Sequence, residues 1–203
     1  MNILFATSNP HKVEEVVAIL APEGIKVRSL ADVGDLPPEP VEDADTFAGN
    51  ARIKARAYAK ATGERCLADD SGLEVDALNG EPGVHSARYA GAQGDRAARD
   101  AANNAKLLEA IARVPDADRA ARFVCAMCLA DPDGTIVAET RGTFEGLITT
   151  DYRGTNGFGY DPLLFIPDQQ CTSAELSPEM KNARSHRGQA VRLLVSSIAS
   201  LDQ

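Results

Sequence analysis

The sequence predicts a mixed α/β protein: an elongated, two-lobed mixed sheet flanked by helices, with a cleft between the lobes, over a single domain of residues 1–203. Three observations predict it. The N-terminal third alternates apolar runs with amphipathic stretches of helical period, the signature of strands and helices in an α/β fold. Two long strand candidates then meet at Pro132-Asp133-Gly134, a hairpin signal that a purely parallel sheet does not accommodate. Finally, 203 residues of which 44% are hydrophobic suffice for a sizeable core. No stretch approaches the roughly 18 uninterrupted apolar residues of a membrane span.

In chain order, "NILFAT" reads as a strand, and "HKVEEVVAIL" as a helix with Val13, Val16, Val17 and Leu20 on one stripe. "IKVRSL" is a second strand, and the Pro- and acid-rich "DLPPEPVEDAD" is a loop. A long helix opens at Thr46 and stops at Gly63, each a good capping residue at its end. "RCLADDSGLEVDAL" reads as a strand, a turn at Ser71-Gly72 and another strand. A Gly-rich loop leads to the helix "DRAARDAANNAKLLEAIARV" and then to the hairpin strands "ARFVCAMCLAD" and "TIVAETRGTFEGLI". The loop "TTDYRGTNGFGYDP", the short strand "LLFIP" and one or two closing helices complete the chain.

A net charge of −9 argues against non-specific nucleic-acid binding, which rests on Lys and Arg neutralising phosphates. It leaves room for a small phosphorylated ligand in a locally basic pocket. The N-terminus carries no basic segment followed by an apolar h-region, so a cytoplasmic protein is expected. Cys125 and Cys128 share the spacing of a C-x-x-C, yet they lie in a strand, where an offset of three sends them to opposite faces. They read as buried structural thiols.

Four segments are richer in functional groups than packing requires. The first strand ends in "ATSNPHK", placing hydroxyls, an amide and Lys12 at a helix start; it is either a simple N-cap with Pro10 at the first helical position or an anion cradle. On the long helix Thr46, Asn50 and Lys54 recur every fourth residue, as a solvated side or a cleft wall. "LADDSG" ends a strand in two adjacent carboxylates on opposite faces, so one of Asp69 and Asp70 can enter a site while the other caps or orients. Glu42 from the acidic loop would add a second hard oxygen ligand, the usual protein share of a Mg²⁺ that also binds substrate phosphates. An Asp-Ser-Gly turn is the plainer reading. In the C-terminal pair "GFGYDP" and "SPEMKNARSHRG", Phe158 and Tyr160 on a Gly-rich loop can stack on a flat ring, while Lys181, His186 and Arg187 supply donors or a surface basic cluster.

Together these offer a phosphate cradle, carboxylates for a metal, a stacking aromatic and a donor set, an inventory that fits a nucleoside triphosphate with Mg²⁺. G-x-x-x-x-G-K-[ST] is not present, so the P-loop route to this ligand is absent, and the lack of a G-x-G-x-x-G after the first strand argues against a dinucleotide fold.

The segments "ATSNPHK", "TFAGNARIKA", "LADDSGLEVDALNGEPGVHSARYAG", "GTNGFGYDPLLFIP" and "TSAELSPEMKNARSHRGQA" resemble, in order and nearly end to end, the inosine/xanthosine triphosphate pyrophosphatase family of house-cleaning nucleotide hydrolases. The resemblance implies hydrolysis of ITP, dITP and XTP to the nucleoside monophosphate and pyrophosphate, in a two-lobed homodimer with its active site in the cleft. It implies that Thr7, Ser8, Asn9, Pro10, His11 and Lys12 surround the triphosphate, with Lys54 reaching in and Ser71 touching substrate. Asp70 becomes general base and metal ligand, helped by Glu42. Phe158, Gly159, Tyr160 and Asp161 hold the base, and Lys181, His186 and Arg187 complete the purine pocket. A related pyrophosphatase family acting on pyrimidine or modified nucleotides opens with a Ser-Pro-Arg-Arg type loop, unlike "SNPHK" here. A non-catalytic nucleotide sensor would not need "ADDSG".

Overall fold

A computed structural model of the chain describes residues Met1–Ala199. Seven strands form one mixed sheet in the order β2-β1-β3-β4-β5-β6-β7. They are β1 (Asn2–Phe5), β2 (Lys26–Ser29), β3 (Cys66–Val75), β4 (Ala120–Ala130), β5 (Ile136–Ile148), β6 (Leu164–Ile166) and β7 (Cys171–Thr172). Among the described residues five α-helices accompany them: α1 (Pro10–Leu20), α2 (Phe47–Thr62), α3 (Arg96–Ile111), α4 (Pro178–Arg184) and α5 (His186–Ala199). β1 pairs parallel with β2 and β3, whereas β5, β6 and β7 pair antiparallel. The sheet is mixed because its N-terminal strands are joined through helices, whereas β4 and β5, and β6 and β7, are joined through short turns.

The chain divides into two compact units. The first comprises residues 1–70, 125–142 and 185 onward; the second comprises 71–124 and 143–184. In the first unit both sheet faces are covered, which explains why β1 reads as a continuous apolar run rather than an alternation. Ile3 and Phe5 pack with Val16 and Leu20 of α1 and with Val191, Leu194 and Ile198 of α5. Leu4, one residue out of phase, faces Ala51, Ala55, Tyr58 and Ala59 of α2. Cys125 joins the first of these clusters and Cys128 the second. Burial pushes their thiols up to about 12 and about 11, so both are inert packing groups. In the second unit, Leu107 and Ile111 of α3 pack on Leu73, Val75, Phe123, Phe144 and Leu164.

Both ends of α2 follow its capping residues: Thr46 Oγ1 accepts from Gly49 N, and Gly63 ends the helix at φ 70°. The β4–β5 connection is the expected hairpin turn, with Gly134 N donating to Asp131 O at 2.8 Å. Ser71-Gly72 is not a turn. β3 runs straight through it, because a close approach, not a reversal, requires the glycine: a Cβ at Gly72 would collide with Ser86 and with Gly83 O at 2.7 Å. Ser86 Oγ instead accepts from Leu73 N at 2.8 Å. The two-residue β7 is too short to carry a periodic signal and was not expected.

Candidate functional site

Each unit assembles a cluster of the residues singled out above. In the first unit the segment after β1 is both a cap and a polar rim. Asn9 Oδ1 accepts from His11 N at 3.2 Å with Pro10 at the helix start, and Thr7 Oγ1 accepts from Asn9 N at 3.2 Å. Ser8, Pro10 and His11 lie exposed there. Lys12, in the first turn of α1, reaches Asp69, with Nζ 3.0 Å from Oδ1 and 2.9 Å from Oδ2.

Alternation along β3 separates the two aspartates. Asp69 is 2% exposed and faces Lys12, the Cys125 thiol and the Arg187 guanidinium, whose Nε and Nη2 lie 3.4 and 3.3 Å from Oδ2. Arg187 Nη1 also donates to Glu15. Burial alone would raise the Asp69 pKa, but Lys12, Arg187 and Lys54 outweigh it and hold the carboxyl well below the usual carboxylate range. Burial likewise draws Lys12 below the ordinary lysine range, opposed by Asp69.

Asp70 faces a different set. Its Oδ2 accepts from Asn50 Nδ2 at 3.0 Å, and Lys54 Nζ lies 3.6 Å from Oδ1 and 2.9 Å from Glu42 Oε2. Burial raises the Asp70 pKa, Glu42 adds to the rise, and Lys54 and Asn50 oppose it. Lys54 pays for desolvation but is held above its ordinary range by Asp70, Asp69 and Glu42. Asn50 Oδ1 also accepts from Ala44 N at 3.0 Å, tying the acidic loop to the carboxylate. The four-residue stripe of α2 therefore splits by function: exposed Thr46 caps the helix, while buried Asn50 and Lys54 face the carboxylates. Ser71 follows on β3, half-buried, on the face opposite to Asp70.

The second unit holds the loop Gly157-Phe158-Gly159-Tyr160-Asp161. Asp161, 2% exposed, is its anchor: Oδ2 accepts from Phe158 N at 2.8 Å and Lys181 Nζ at 2.6 Å, and Oδ1 accepts from Ser173 Oγ at 2.6 Å. Gly157 has φ 78°, and a Cβ there would collide with Asp161 and meet Lys181 Nζ at 2.8 Å, so only glycine closes this loop. Tyr160 departs from the expected role of a stacking face. Its ring belongs to the core of the unit, and its hydroxyl donates to Ser86 O at 2.8 Å, so it anchors the loop from below. Phe158 is half-buried; the Arg96 guanidinium lies 4.4 Å and Lys181 Nζ 5.2 Å from its ring centroid. His186 is buried at the start of α5 in the first unit, next to Arg187.

Glu15, Asp100, Asn104 and Arg96 were missed in the sequence. Asn103 and Asn104, adjacent in the interior of a helix that disfavours asparagine, were the available signal. Asn103 Oδ1 accepts from Ala90 N at 2.8 Å, and its amide donates to Ser86 O at 3.2 Å. Glu15, one of two adjacent acids on α1, gave no signal at all.

Residues 3–197 match the model of the Ham1 family. A dITP/XTP pyrophosphatase of Exiguobacterium sibiricum is 50% identical over 200 residues, spanning 98% of this chain and 98% of the relative. A HAM1 protein from Coxiella burnetii superposes with a TM-score of 0.85 at 41% identity, covering 98% of this chain and 99% of that one. A nucleoside-triphosphatase / dITP/XTP pyrophosphatase from Mycobacterium abscessus gives a TM-score of 0.75 at 46% identity, covering 96% and 98%. On this match, which runs nearly the full length in both sequence and fold, the chain belongs to the Ham1 family.

Proposed function

We propose that the protein is a nucleoside triphosphate pyrophosphatase that hydrolyses the non-canonical purine nucleotides ITP, dITP and XTP to the monophosphate and pyrophosphate. The observation that carries the reading is the division of the two aspartates of "ADDSG". One is locked between Lys12 and Arg187. The other is paired with Asn50 and Lys54, with its pKa raised, as suits a base that must take a proton. The identity of relatives named dITP/XTP pyrophosphatase supports the substrate class.

In this reading Asp70 accepts the proton of the water that attacks the α-phosphorus. Lys12 and Lys54 offset the charge that builds on the departing pyrophosphate. Thr7, Ser8, Asn9, Pro10 and His11 line the triphosphate at the start of α1, where backbone N–H groups and the helix dipole favour an anion. Ser71 adds a hydroxyl. Glu42 and Asp70 both approach the ammonium of Lys54, so two hard oxygen donors already share one cation. That donor set fits Mg²⁺, which when bound would polarise the phosphate and favour the leaving group.

Phe158 supplies the stacking face, with Gly159, Tyr160, Asp161 and Lys181 holding the loop that presents it. The family resemblance also assigns His186 and Arg187, in the first unit, to purine recognition. Asp69 and Glu15 fix the plane of Arg187, the preorganisation a reader of a 6-oxo group needs. Adenine carries an amino group at that position, a donor that the guanidinium cannot pair with. A homodimer in the cytoplasm, acting on small nucleotides and not on nucleic acid or membranes, accords with the family resemblance and the charge of −9. Among the described residues no helix is long and apolar enough to cross a membrane.

Turnover with Mg²⁺ and ITP, XTP, dTTP, UTP and ATP tests this. Pyrophosphate release from ITP and XTP well above the rest supports the proposal. Preference for dTTP or UTP would favour the pyrimidine-directed relatives, and tight ITP binding without turnover would favour a sensor.

A further inference from the structure

Three side chains of α3 at four-residue spacing, Arg96, Asp100 and Asn104, share one helix face. All three meet two successive residues of the Phe158 loop. The Arg96 guanidinium lies over the Phe158 ring, 4.4 Å from its centroid. Asp100 Oδ2 accepts from Gly159 N at 3.0 Å, and Asn104 Nδ2 donates to Gly159 O at 3.0 Å. One helix thus grips both polar groups of a single residue and covers the ring before it.

This face does more than support the helix, although its Arg96–Asp100 ion pair at 3.6 Å contributes to that as well. Asn104 is 3% exposed in the interior of a helix, where Asn is a poor former, and its Oδ1 is buried with no hydrogen-bond partner. Arg96 Nε is buried without a hydrogen bond, in an ion pair with Asp100 Oδ2. What the face supplies is order. Gly157 at φ 78° and Gly159 at φ 62° flank Phe158 with two flexible hinges, which leave the ring with many accessible orientations unless something fixes them.

We propose that Arg96, Asp100 and Asn104 are positioning residues for nucleobase recognition, with α3 fixing the Phe158-Gly159 segment before the nucleotide arrives. The inference rests on the reading of Phe158 as the face that meets the base. Ordering the loop in advance removes an entropic cost from base binding and leaves phosphate binding and the hydrolytic step untouched. The three residues therefore act on KM and not on kcat.

The test compares Asp100→Ala, Asp100→Asn and Asn104→Ala with wild type, using KM and kcat for ITP and inhibition constants for IMP and for inorganic triphosphate. IMP carries the base, whereas triphosphate probes only the phosphate end. Asp100→Ala is expected to raise KM for ITP and the inhibition constant of IMP by about tenfold, with kcat and triphosphate inhibition within about twofold of wild type. Asp100→Asn keeps an oxygen that can accept the Gly159 N–H and restores most of the loss. Asn104→Ala, which frees the other end of the clamp, gives the same pattern. Unchanged KM in both alanine variants overturns the inference, as does a parallel loss of kcat and triphosphate affinity. Phe158→Ala separates the two levels. If it weakens IMP while the α3 variants do not, only the role of α3 fails; if it leaves IMP binding unchanged, the base reading fails and the inference falls with it.

Discussion

Two clusters, one in each unit, hold their functional groups by opposite means. Around β3 in the first unit, side chains hold side chains: Lys12 and Arg187 on Asp69, Lys54 on Asp70 and Glu42, Arg187 on Glu15. Around Phe158 in the second, side chains mostly hold backbone: Asp161 takes Phe158 N, Asp100 takes Gly159 N, Asn104 gives to Gly159 O, and Tyr160 gives to Ser86 O. The first arrangement sets charge, and a substitution there alters protonation, reactivity and electrostatic stability. The second sets shape, and a substitution there alters fit. A catalytic centre and a recognition loop are expected to differ in this way, because one must stabilise developing charge and the other must present a fixed surface.

The largest expected effect tests the charge side. Arg187 is 1% exposed and pairs with two carboxylates, so Arg187→Ala leaves Asp69 and Glu15 short of a buried partner. Urea denaturation is expected to show a loss of roughly 3–5 kcal/mol. The pH dependence carries a sign. A depressed folded-state pKa gives Asp69 a stabilising contribution that is present above the unfolded carboxylate value of about 3.9 and lost as pH falls through the folded value. Without Arg187 the acid unfolding limb shifts to higher pH. Arg187→Lys keeps the charge and loses the fork, and it is expected to lower the preference for ITP over ATP by about tenfold or more. Equal losses on both nucleotides would make Arg187 purely a partner of Asp69.

Asp70→Asn comes next. It preserves shape and removes the proposed base, so kcat is expected to fall by about 100-fold or more in a protein that melts like wild type. A larger fall in Asp69→Asn, with the fold intact, would exchange the roles of the two aspartates. On the shape side, Phe158→Ala is expected to raise KM for ITP by about tenfold while kcat stays within a few-fold, the value of one good stacking contact. A kcat loss matching that of Asp70→Asn would erase the distinction between the clusters. The smallest effect belongs to Thr46, which caps the helix carrying Asn50 and Lys54 without touching the carboxylates. Thr46→Ala should cost about 1 kcal/mol of stability and leave kcat nearly unchanged.

How much of this the sequence discloses follows the same division. The α2 boundaries, the hairpin and the opposite faces of Cys125 and Cys128 were legible, because capping residues and strand alternation are local rules. Separate environments for Asp69 and Asp70 also followed from alternation. The partners did not. Nothing local to α1 marks Glu15 as the mate of a residue 172 positions away. The glycine in "DDSG" looked like a turn because its true constraint, the nearness of Ser86, is a tertiary contact. Tyr160 looked like a stacking face for the same reason. An aromatic on a Gly-rich loop reads alike whether it points outward or, as here, into the core.

The central claim is that the charged cluster of the first unit directs water to the α-phosphorus and releases the two outer phosphates together. Hydrolysis of ITP with Mg²⁺ in ¹⁸O-labelled water, with products resolved by mass spectrometry, tests it most directly. The account predicts one labelled oxygen in IMP and unlabelled pyrophosphate, formed in equal amounts from the first turnovers with no IDP. Labelled inorganic phosphate appearing first while IDP accumulates would contradict it.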